Sequence, residues 1–421
     1  MVPKGWSRHD LGSILEFKNG INTDAGNYGH GTKFVNVMDV LANEALTYDQ
    51  IGGSVSITDG QQAAYALRRG DILFNRTSET REEIAFAAVY LDDKPAVFGG
   101  FVIRGRPTNN LLDFSFSKYC FRAASVRREM TRRCQGAIRA NIGQGDMSEI
   151  SILLPPLEEQ KEIARLLSAW DRAIATVEKL IENNQRQKKA LLETLLVGKA
   201  RLRGFGAPAP NGSFPKDWKF ITLAKVGRCI TGLTYSPGDV VDDEGLLVLR
   251  SSNIGGSEIK LEDKVFVRTP VPEESLTRVG DILIAVRNGS RNLIGKNAVI
   301  DGSCAGMAHG AFMTLYRSEE NYYLSHVFQS DMFVQQVNRN LGATINSINI
   351  SHLNKFKFPF PPKEERRAIA AVLSASSREI VTLRKYLAYL YSEKDVLVQL
   401  LLAGERRVKS KGKTSPAAKI G

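Results

Sequence analysis

A chain of 421 residues predicts two or three domains, and its 43% apolar and 24% charged residues are typical of a globular protein and exclude a chain that is disordered or fibrous throughout. The net charge of +12 favours a polyanionic partner, although the excess of Lys and Arg lies mainly in the last quarter of the chain. The four cysteines include no Cys-x-x-Cys pair, and the sequence has neither a signal peptide nor a long apolar run, so we expect a soluble protein of the reducing cytoplasm without a membrane segment.

The first predicted domain covers residues 1–152 and mixes strands with helices. Short apolar runs such as Asp71–Phe74 and Ala85–Tyr90 are bounded by turn residues and predict strands, whereas the stretch around 118–139 predicts helix. Trp6, near the start, is expected to anchor the core. We therefore expect an α+β fold for this domain.

A long helix is predicted after this domain, within residues 153–203. Apolar residues recur from Ile163 to Leu195 at alternating steps of four and three residues, which is the heptad pattern of a coiled coil. The helix is expected to begin just after Pro155-Pro156 and to end near Gly198. The predicted seam residues are Ile163, Leu167, Trp170, Ile174, Val177, Ile181, Leu191 and Leu195.

The second half of the chain repeats the first with an offset of about 206 to 212 residues. Pro3–Trp6 returns as Pro215–Trp218, and Gly70–Leu73 returns as Gly280–Leu283. The order of the repeated parts is preserved, which indicates an internal duplication.

The duplication predicts the same elements again in the second half. We expect a second α+β domain over 204–357 with a helix around 320–340, a second long helix over 358–405, and a basic, disordered tail over 406–421. The second seam lies 206 residues after the first. Its apolar residues are Ile369, Leu373, Ile380, Leu383, Leu387, Leu390, Leu397 and Leu401.

Each long helix carries a narrow apolar stripe that it cannot bury without a partner surface, so the two helices are expected to pair with one another. About 40 residues at about 1.5 Å each make a rod of roughly 60 Å, the length of roughly 18 base pairs of DNA. Because a whole domain connects the helices, both a parallel and an antiparallel pair are open at this point. The polar seam residues Asn184, Lys188 and Lys394 either fix the register or meet another subunit, or they belong to helix ends that fray into solvent.

The repeated motifs make the chain resemble a known family. The run Leu154-Pro-Pro-Leu-Glu-Glu-Gln160, its second copy Phe360-Pro-Pro-Lys-Glu-Glu-Arg366 and the two Gly-Asp-Ile-Leu motifs are similar to the specificity subunits of type I restriction-modification systems, over nearly the whole chain. The resemblance implies two target-recognition domains, each reading one half of a split DNA site, held apart by an antiparallel pair of long helices that acts as a ruler. Lys363 replaces Leu157 in the second copy, so the two helices need not contact partners equivalently.

The same resemblance implies how the chain would work with other proteins. It implies a chain that catalyses nothing and binds no cofactor itself. Its partners would be double-stranded DNA and two methyltransferase subunits, which bind S-adenosylmethionine and methylate adenine. Restriction subunits that translocate and cut DNA would join the assembly in systems that contain them. Separately, the histidines and cysteines lack the spacings of a zinc site, so we expect no bound metal.

Loops rich in Arg, Asn, Gln and Ser agree with a role in DNA recognition. Such side chains present the donor and acceptor pairs that distinguish base edges in the major groove, and Lys and Arg hold phosphates. A plain surface loop without a ligand is the alternative at each position. The candidates are Lys18, Asn19, Asn22, Gln61, Gln62, Asn75, Arg76, Thr77, Ser78 and Arg81 in the first half and Arg250, Ser251, Ser252, Asn253, Arg287, Asn288, Ser290, Arg291, Asn292 and Lys296 in the second.

Two other classes of function stay open, an adaptor and an enzyme, and the enzyme would be either a nuclease or a methyltransferase. A helical-hairpin adaptor would assemble proteins without touching DNA. A metal-dependent nuclease would use Asp242 or Asp243 with Glu258-Ile259-Lys260, but that spacing is frequent by chance and has no counterpart in the first half. A self-contained DNA methyltransferase is disfavoured because the Pro-Pro pairs of the sequence open the long helices and form no base-binding motif.

Overall fold

The computed structural model describes residues 2–136, 139–209, 213–341 and 346–408. The chain divides into two compact units, of which the first combines Met1–Glu178 with Tyr386–Gly421 and the second is Lys179–Lys385. Each unit therefore holds one of the two predicted α+β domains together with parts of both long helices. Of the predicted tail, only residues 406–408 are described, and 409–421 lie outside the described residues.

The first unit is built from short strands arranged in several small sheets. Its strands are β1 (Ser7–Asp10), β2 (Leu15–Asn19), β3 (Tyr28–Val35), β4 (Ala45–Leu46), β5 (Ser54–Val55), β6 (Ile72–Asn75), β7 (Thr77–Ser78), β8 (Ala87–Tyr90), β9 (Val97–Phe98), β10 (Val102–Pro107), β11 (Ala140–Asn141) and β12 (Ser151–Leu154). The largest sheet has the order β2-β10-β6-β8-β4, and smaller sheets are β5-β3-β9, β1-β12 and β11-β7. Neighbours in the largest sheet are antiparallel except for the parallel pair β4 and β8.

Short helices cover this sheet, and a long one follows it. The helices are α1 (Leu11–Ile14), α2 (Val37–Ala42), α3 (Asp59–Tyr65), α4 (Phe114–Cys120), α5 (Ala124–Arg133), α6 (Gln144–Ser148) and the long α7 (Leu157–Leu195). Single 3-10 turns lie at Ala25–Asn27 and Tyr48–Gln50. The strands predicted near Asp71 and Ala85 are present as β6 and β8. The stretch predicted as helix around 118–139 contains the end of α4 and the whole of α5, and its residues 137–138 lie outside the described residues.

The second unit repeats this arrangement. Its strands are β13 (Lys219–Thr222), β14 (Arg228–Thr231), β15 (Val240–Val241), β16 (Leu246–Leu249), β17 (Ile254–Gly255), β18 (Glu258–Ile259), β19 (Phe266–Val267), β20 (Ile282–Ala285), β21 (Asn297–Val299), β22 (Ala308–His309), β23 (Met313–Arg317) and β24 (Lys357–Phe360). The sheets are β14-β23-β20-β21, β15-β19-β16-β22, β13-β24 and β17-β18. Its helices are α8 (Leu223–Val226), α9 (Asn321–Val327), α10 (Asp331–Asn340), α11 (Ile350–Lys355) and the long α12 (Lys363–Leu402), with 3-10 turns at Pro237–Asp239, Ser251–Asn253, Glu273–Ser275, Arg291–Leu293 and Gly302–Cys304.

The central strand of each main sheet is buried on both faces. In β6, Ile72 and Phe74 point into the cluster that contains the long helices, whereas Leu73 points into a second cluster on the opposite face. Strand β20 divides in the same way, with Ile282 and Ile284 on one side and Leu283 on the other. Burial on both faces explains why these strands are continuous apolar runs in the sequence.

The two long helices pack against each other in an antiparallel pair. In the first unit, Ile163 near the start of α7 shares a buried cluster with Leu401 near the end of α12. In the second unit, Leu195 at the end of α7 shares a cluster with Ile369 near the start of α12. The predicted fold, two α+β domains and an antiparallel helix pair in an internally repeated chain, is confirmed.

Most of the predicted seam residues are buried, and four are half-buried. Trp170 and Leu191 are half-buried in α7, and Leu383 and Leu387 are half-buried in α12. The heptad pattern therefore marks the inner face of both helices. The buried seam residues are Ile163, Leu167, Ile174, Val177, Ile181, Leu195, Ile369, Leu373, Ile380, Leu390, Leu397 and Leu401.

The polar seam residues differ in their contacts. Lys394 Nζ lies 2.6 Å from Asp171 Oδ1 and 3.5 Å from Glu44 Oε1. Its counterpart Lys188 donates to Gln329 Oε1 at 2.8 Å. Both lysines are half-buried and held within their own units, so neither belongs to a frayed helix end.

The repeated Gly-Asp-Ile-Leu motif has a structural role. Asp71 accepts the backbone N–H of Arg68 at 2.8 Å and two hydrogen bonds from Arg106, each at 2.7 Å. Asp281 is bonded to Arg317 in the same bidentate way, at 2.9 and 2.6 Å. Because both carboxylates are buried, their ion pairs lock the turn that precedes the central strand of each sheet.

Candidate nucleic-acid interface

Three loops of the first unit meet at one end of its main sheet. Strand β10 is antiparallel to both β2 and β6, so the segments after β2 and after β6 lie beside the turn 99–101 that precedes β10. Gly100 donates its N–H to Ile21 O at 2.8 Å, and Arg76 donates its N–H to Phe101 O at 2.8 Å. These bonds tie the two candidate loops to one turn, and we call this end of the sheet the first reading edge.

The second unit has an equivalent second reading edge. The turn 310–312 precedes β23 and lies between the segments that follow β14 and β20. Leu233 donates its N–H to His309 O at 2.7 Å, and Arg287 donates its N–H to Phe312 O at 3.1 Å. A further loop joins this edge because Asn288 Nδ2 donates to Ser251 Oγ at 2.8 Å.

Glycine makes the close contact between the loop and the turn possible at both edges. A Cβ on Gly20 would lie 2.1 Å from Gly99 O, and a Cβ on Gly232 would lie 2.0 Å from Gly310 O. No side chain fits at such distances, so only glycine permits the loop to pack on the turn. The candidate side chains are thereby presented on a fixed frame.

The candidate residues lie at different depths. Some are exposed and others are half-buried, so their polar ends differ in how far they reach from the protein. The exposed candidates are Asn22, Gln61, Arg81, Ser252, Arg287, Ser290, Arg291 and Asn292. The half-buried candidates are Lys18, Asn19, Gln62, Arg76, Thr77, Arg250, Ser251, Asn288 and Lys296.

Three candidates are buried, contrary to the expectation that they lie on surface loops. Asn75 is the last residue of the buried strand β6, and its side chain is 0% exposed. Asn253 is also 0% exposed, and its amide donates to Lys260 O and Asp263 O. Ser78 is buried and donates to Glu83 Oε2 at 3.2 Å. Asn253 and Ser78 therefore stabilise the loops from within, because their side chains satisfy nearby backbone and loop groups. Both amide atoms of Asn75, by contrast, are buried without a hydrogen-bond partner among the described residues.

Several other candidates already bond to the protein. Lys18 Nζ donates to Ala64 O at 2.7 Å and lies 4.4 Å from the centre of the Tyr65 ring. Gln61 caps helix α3, because its Oε1 accepts the N–H of Thr58 at 3.0 Å. These contacts position the two side chains at the rim of the edge.

Three further candidates are held by neighbouring loops. Arg250 forms an ion pair with Asp263 at 2.6 Å, and the hydroxyl of Ser252 together with this arginine lowers the pKa of the Asp263 carboxyl. Lys296 Nζ donates to Ile254 O at 3.3 Å. Thr77 Oγ1 donates to Asn141 Oδ1 at 2.7 Å in the first unit.

The two arginines that begin the central loops are placed equivalently. Arg76 Nη1 lies 3.5 Å from Gly100 O, and the guanidinium of Arg287 lies 5.5 Å from the centre of the Phe312 ring. Each arginine thus lies beside the turn of its own edge. A planar guanidinium can donate two parallel hydrogen bonds to one guanine edge or to a phosphate.

One pair of residues at these edges is not among the candidates predicted from the sequence. Phe101 and Phe312 occupy the same position in the two turns, and they are 61% and 55% exposed. Aromatic residues beside apolar strands are normally expected in the core. A signal was nevertheless present, because Gly99-Gly100-Phe101 recurs as Gly310-Ala311-Phe312 in front of equivalent strands.

The geometry does not support a metal-dependent nuclease. Within the described ranges, no group of three or more His, Cys, Asp or Glu side chains could hold a metal ion, so Asp242, Asp243 and Glu258 do not form such a cluster.

Across those ranges there is also no helix with the length and apolar character needed to cross a membrane.

Comparisons with known proteins identify the architecture. The family model of the type I restriction modification DNA specificity domain matches residues 3–184 and again residues 215–387. A Methanocaldococcus jannaschii protein described as a type I restriction enzyme specificity subunit, MjaX, is 27% identical over 423 residues, which cover 97% of this chain and 95% of that protein.

Solved structures share the fold. The S subunit of a type I restriction-modification system from M. genitalium matches with a TM-score of 0.57 at 15% identity, covering 95% of this chain and 99% of that chain. A chain from a structure of complex assembly and conformational transition in the type I R-M system matches with a TM-score of 0.60 at 19% identity, covering 96% of this chain and 100% of that chain.

Proposed function

Because this chain belongs to the type I restriction modification DNA specificity family, we propose that it is the non-catalytic subunit that reads the DNA target and scaffolds such a system. The observation that carries the proposal is the pair of equivalent reading edges, in each of which the loops after two neighbouring strands are fixed to one turn. Because the two edges have equivalent backbone frames, each is able to contact one segment of the same DNA duplex. We propose that the accessible candidate residues at these edges bind DNA.

The target is bipartite and asymmetric in this proposal. The two edges share a frame but differ in the side chains that they present, since Arg76-Thr77 in one corresponds to Arg287-Asn288 in the other. Different donor and acceptor groups select different base pairs. The two half-sites therefore differ in sequence, and the complete site is not a palindrome.

The long helices set the spacing between the half-sites in this proposal. They contain 39 and 40 residues. At about 1.5 Å per residue, each helix is about 60 Å long, which corresponds to about 18 base pairs. Supporting this role, each unit buries segments of both helices in its core, so the helices cannot shift without disrupting the domains.

The partners are double-stranded DNA, two methyltransferase subunits that carry S-adenosylmethionine and, in a complete system, restriction subunits in the cytoplasm. The helix starts differ in charge, with Leu157 in α7 replaced by Lys363 in α12. This difference favours non-equivalent contacts at the two starts.

Mapping of methylated adenines tests the proposal. The chain is expressed with its methyltransferase in a host without adenine methylation, and the modified positions are read by single-molecule sequencing. We expect one asymmetric, split motif that disappears when the chain is omitted. Methylation without a motif, or a motif independent of the chain, would contradict the proposal.

Salt dependence separates the DNA reader from the adaptor without DNA contact. The assembled complex should lose affinity for its duplex steeply between about 50 mM and about 200 mM salt, because phosphate contacts release counterions. An adaptor would have little duplex affinity to lose.

A further inference from the structure

We infer that Phe101 and Phe312 are specificity-determining residues whose rings contact a thymine methyl group, one in each half-site. The inference rests on the proposed function, because it concerns the same two reading edges. It adds two aromatic residues to the polar loop candidates, and it names the chemical group of the DNA that they would contact.

The backbone that carries the two rings is held by equivalent hydrogen bonds at both edges. Val102 donates its N–H to Gly99 O at 2.8 Å, and Met313 donates its N–H to Gly310 O at 2.8 Å, so each turn is closed directly around its phenylalanine. Phe101 O accepts the N–H of Arg76 at 2.8 Å. In the second unit, Phe312 O accepts from Val286 at 2.9 Å and from Arg287 at 3.1 Å.

Exposure of the rings is not explained by packing. A single exposed apolar residue is ordinary on a protein surface. Here, however, two large rings are 61% and 55% exposed at equivalent points, each on a closed turn at the centre of a polar loop cluster. A side chain held out on a rigid turn loses little further freedom when it meets a ligand.

The chemistry of the major groove selects the group that such a ring would meet. Its base edges carry hydrogen-bond donors and acceptors, and the apolar group among them is the C5-methyl of thymine. The arginine beside each ring suits guanine or phosphate instead. The second edge also has a cavity of about 390 Å³ beside Phe312, lined by Thr234, Tyr235, Arg250 and Ser251, that leaves room for a base edge.

The test combines side-chain and base substitutions in the assembled complex with its methyltransferase. Once the split site is known, each thymine of a half-site is replaced singly by deoxyuridine, which lacks the methyl group, and duplex affinity is measured by competition. We expect wild-type affinity to fall about tenfold at one thymine of each half-site. Phe101→Ala should remove that sensitivity in one half-site only, and Phe312→Ala in the other only.

Matched variants serve as controls for a loss of affinity that is caused by misfolding. Phe220 is also 55% exposed but lies on β13, away from the reading edge, so Phe220→Ala should change neither affinity nor sensitivity to deoxyuridine. Phe101→Leu and Phe312→Leu keep an apolar side chain and should retain part of the sensitivity. Retained recognition of the other half-site shows that a variant is folded.

Two outcomes would overturn the inference. One is a wild-type complex that binds its split site specifically but tolerates deoxyuridine at every thymine. The other is an equal loss of affinity for cognate and scrambled duplexes in the alanine variants. Failure of the proposed function would look different, because the wild-type complex would then show no sequence preference at all.

Discussion

Arg201 and Glu365 form a buried bidentate ion pair between residues 164 positions apart, with Nε to Oε1 at 2.9 Å and Nη2 to Oε2 at 2.7 Å. Arg201 follows the end of α7, and Glu365 lies in the first turn of α12. In the first unit, Arg407 follows the end of α12 and is bonded to Glu159 in the first turn of α7, at 2.6 and 2.7 Å. Each unit therefore joins the end of one long helix to the start of the other by the same contact.

Replacing these two arginines should have unequal effects. Arg201 is 6% exposed and its partner Glu365 is 0% exposed, so Arg201→Ala leaves a buried carboxylate whose remaining hydrogen-bond partner, among the described side chains, is the Trp218 indole. We expect a loss of about 3 to 5 kcal/mol in the free energy of unfolding. Arg407 is 43% exposed, and Arg407→Ala should cost only about 1 kcal/mol. Urea denaturation measures both, and equal costs would show that burial does not set the strength of the contact.

Replacing the two seam lysines by methionine should have opposite effects. Burial, followed by the nearby charge of Arg384, lowers the pKa of Lys188, whose hydrogen-bond partner Gln329 is uncharged. Lys188→Met should therefore raise the free energy of unfolding by about 1 kcal/mol.

Lys394 is the matched position in the other half. Burial opposes ionisation of Asp171, but hydrogen bonds from Lys118 and Lys394 keep the pKa of that carboxyl below its usual value. Lys394→Met removes one of these cations and should lower the free energy of unfolding by about 2 kcal/mol. Thermal unfolding with calorimetry distinguishes the two changes, and a shared sign would contradict the explanation.

His326 should make the protein sensitive to mild acid. Burial, with a further contribution from Lys188, lowers the pKa of His326 to about 4 from its ordinary 6.5, and its Nε2 lies 2.9 Å from Ser374 Oγ. Between pH 6.5 and about pH 4, His326 binds a proton in the unfolded chain but not in the folded protein. The contribution of His326 to the free energy of unfolding is therefore complete above the unfolded-state pKa of 6.5. It is lost progressively as the pH falls towards the folded-state pKa of about 4. The loss attributable to His326 is about 2 kcal/mol between about pH 7.5 and about pH 5.

The variant His326→Gln isolates this contribution. It keeps a polar side chain near Ser374 and cannot titrate, so its unfolding free energy should vary less with pH than that of the wild type. His309, whose pKa is also lowered chiefly by burial, remains in both proteins as an internal reference. Parallel pH profiles for variant and wild type would rule out a role for His326 in acid sensitivity.

Replacing one arginine of a reading edge should impair one half-site. Arg76→Ala should weaken discrimination in the half-site read by the first edge by about 1 to 3 kcal/mol, and Arg287→Ala should do the same for the other half-site. Affinities for singly mutated duplexes measure this loss. If both variants lose affinity equally for scrambled DNA, the arginines contact phosphates and read no base.

Shortening both long helices should shorten the spacer. Deletion of residues 177–183 and of the equivalent 383–389 removes one heptad from each helix, about 10 Å or about 3 base pairs. The motif recovered from methylated adenines should then contain a spacer about 3 base pairs shorter, because the register of the seam is preserved. An unchanged spacer with normal methylation would show that the helices do not set the distance.

The sequence predicted those features that depend on local pattern or on comparison of its halves. The heptads placed both long helices, and the offset between Gly70–Leu73 and Gly280–Leu283 revealed two domains of one design. The side chains at the reading edges were harder to predict. Asn75 and Asn253 were expected on the surface, but residue type alone does not show which polar side chains turn inward. Asn253 meets the carbonyls of Lys260 and Asp263 once its loop has folded, whereas both amide atoms of Asn75 are buried without a hydrogen-bond partner among the described residues. The pairing of Arg201 with Glu365 depends on the antiparallel direction, which the residues alone left open.

Because the end of α12 packs in the first unit, the first unit cannot finish folding before the second unit has been synthesised. Leu397 and Leu401, at the end of α12, belong to the buried cluster of the first unit. That cluster cannot be completed until the chain as far as Leu401 has left the ribosome. The second unit, Lys179–Lys385, is by contrast fully synthesised earlier. Although translation begins with the first unit, that unit is the last to close, and until then it exposes apolar surface that chaperones can bind.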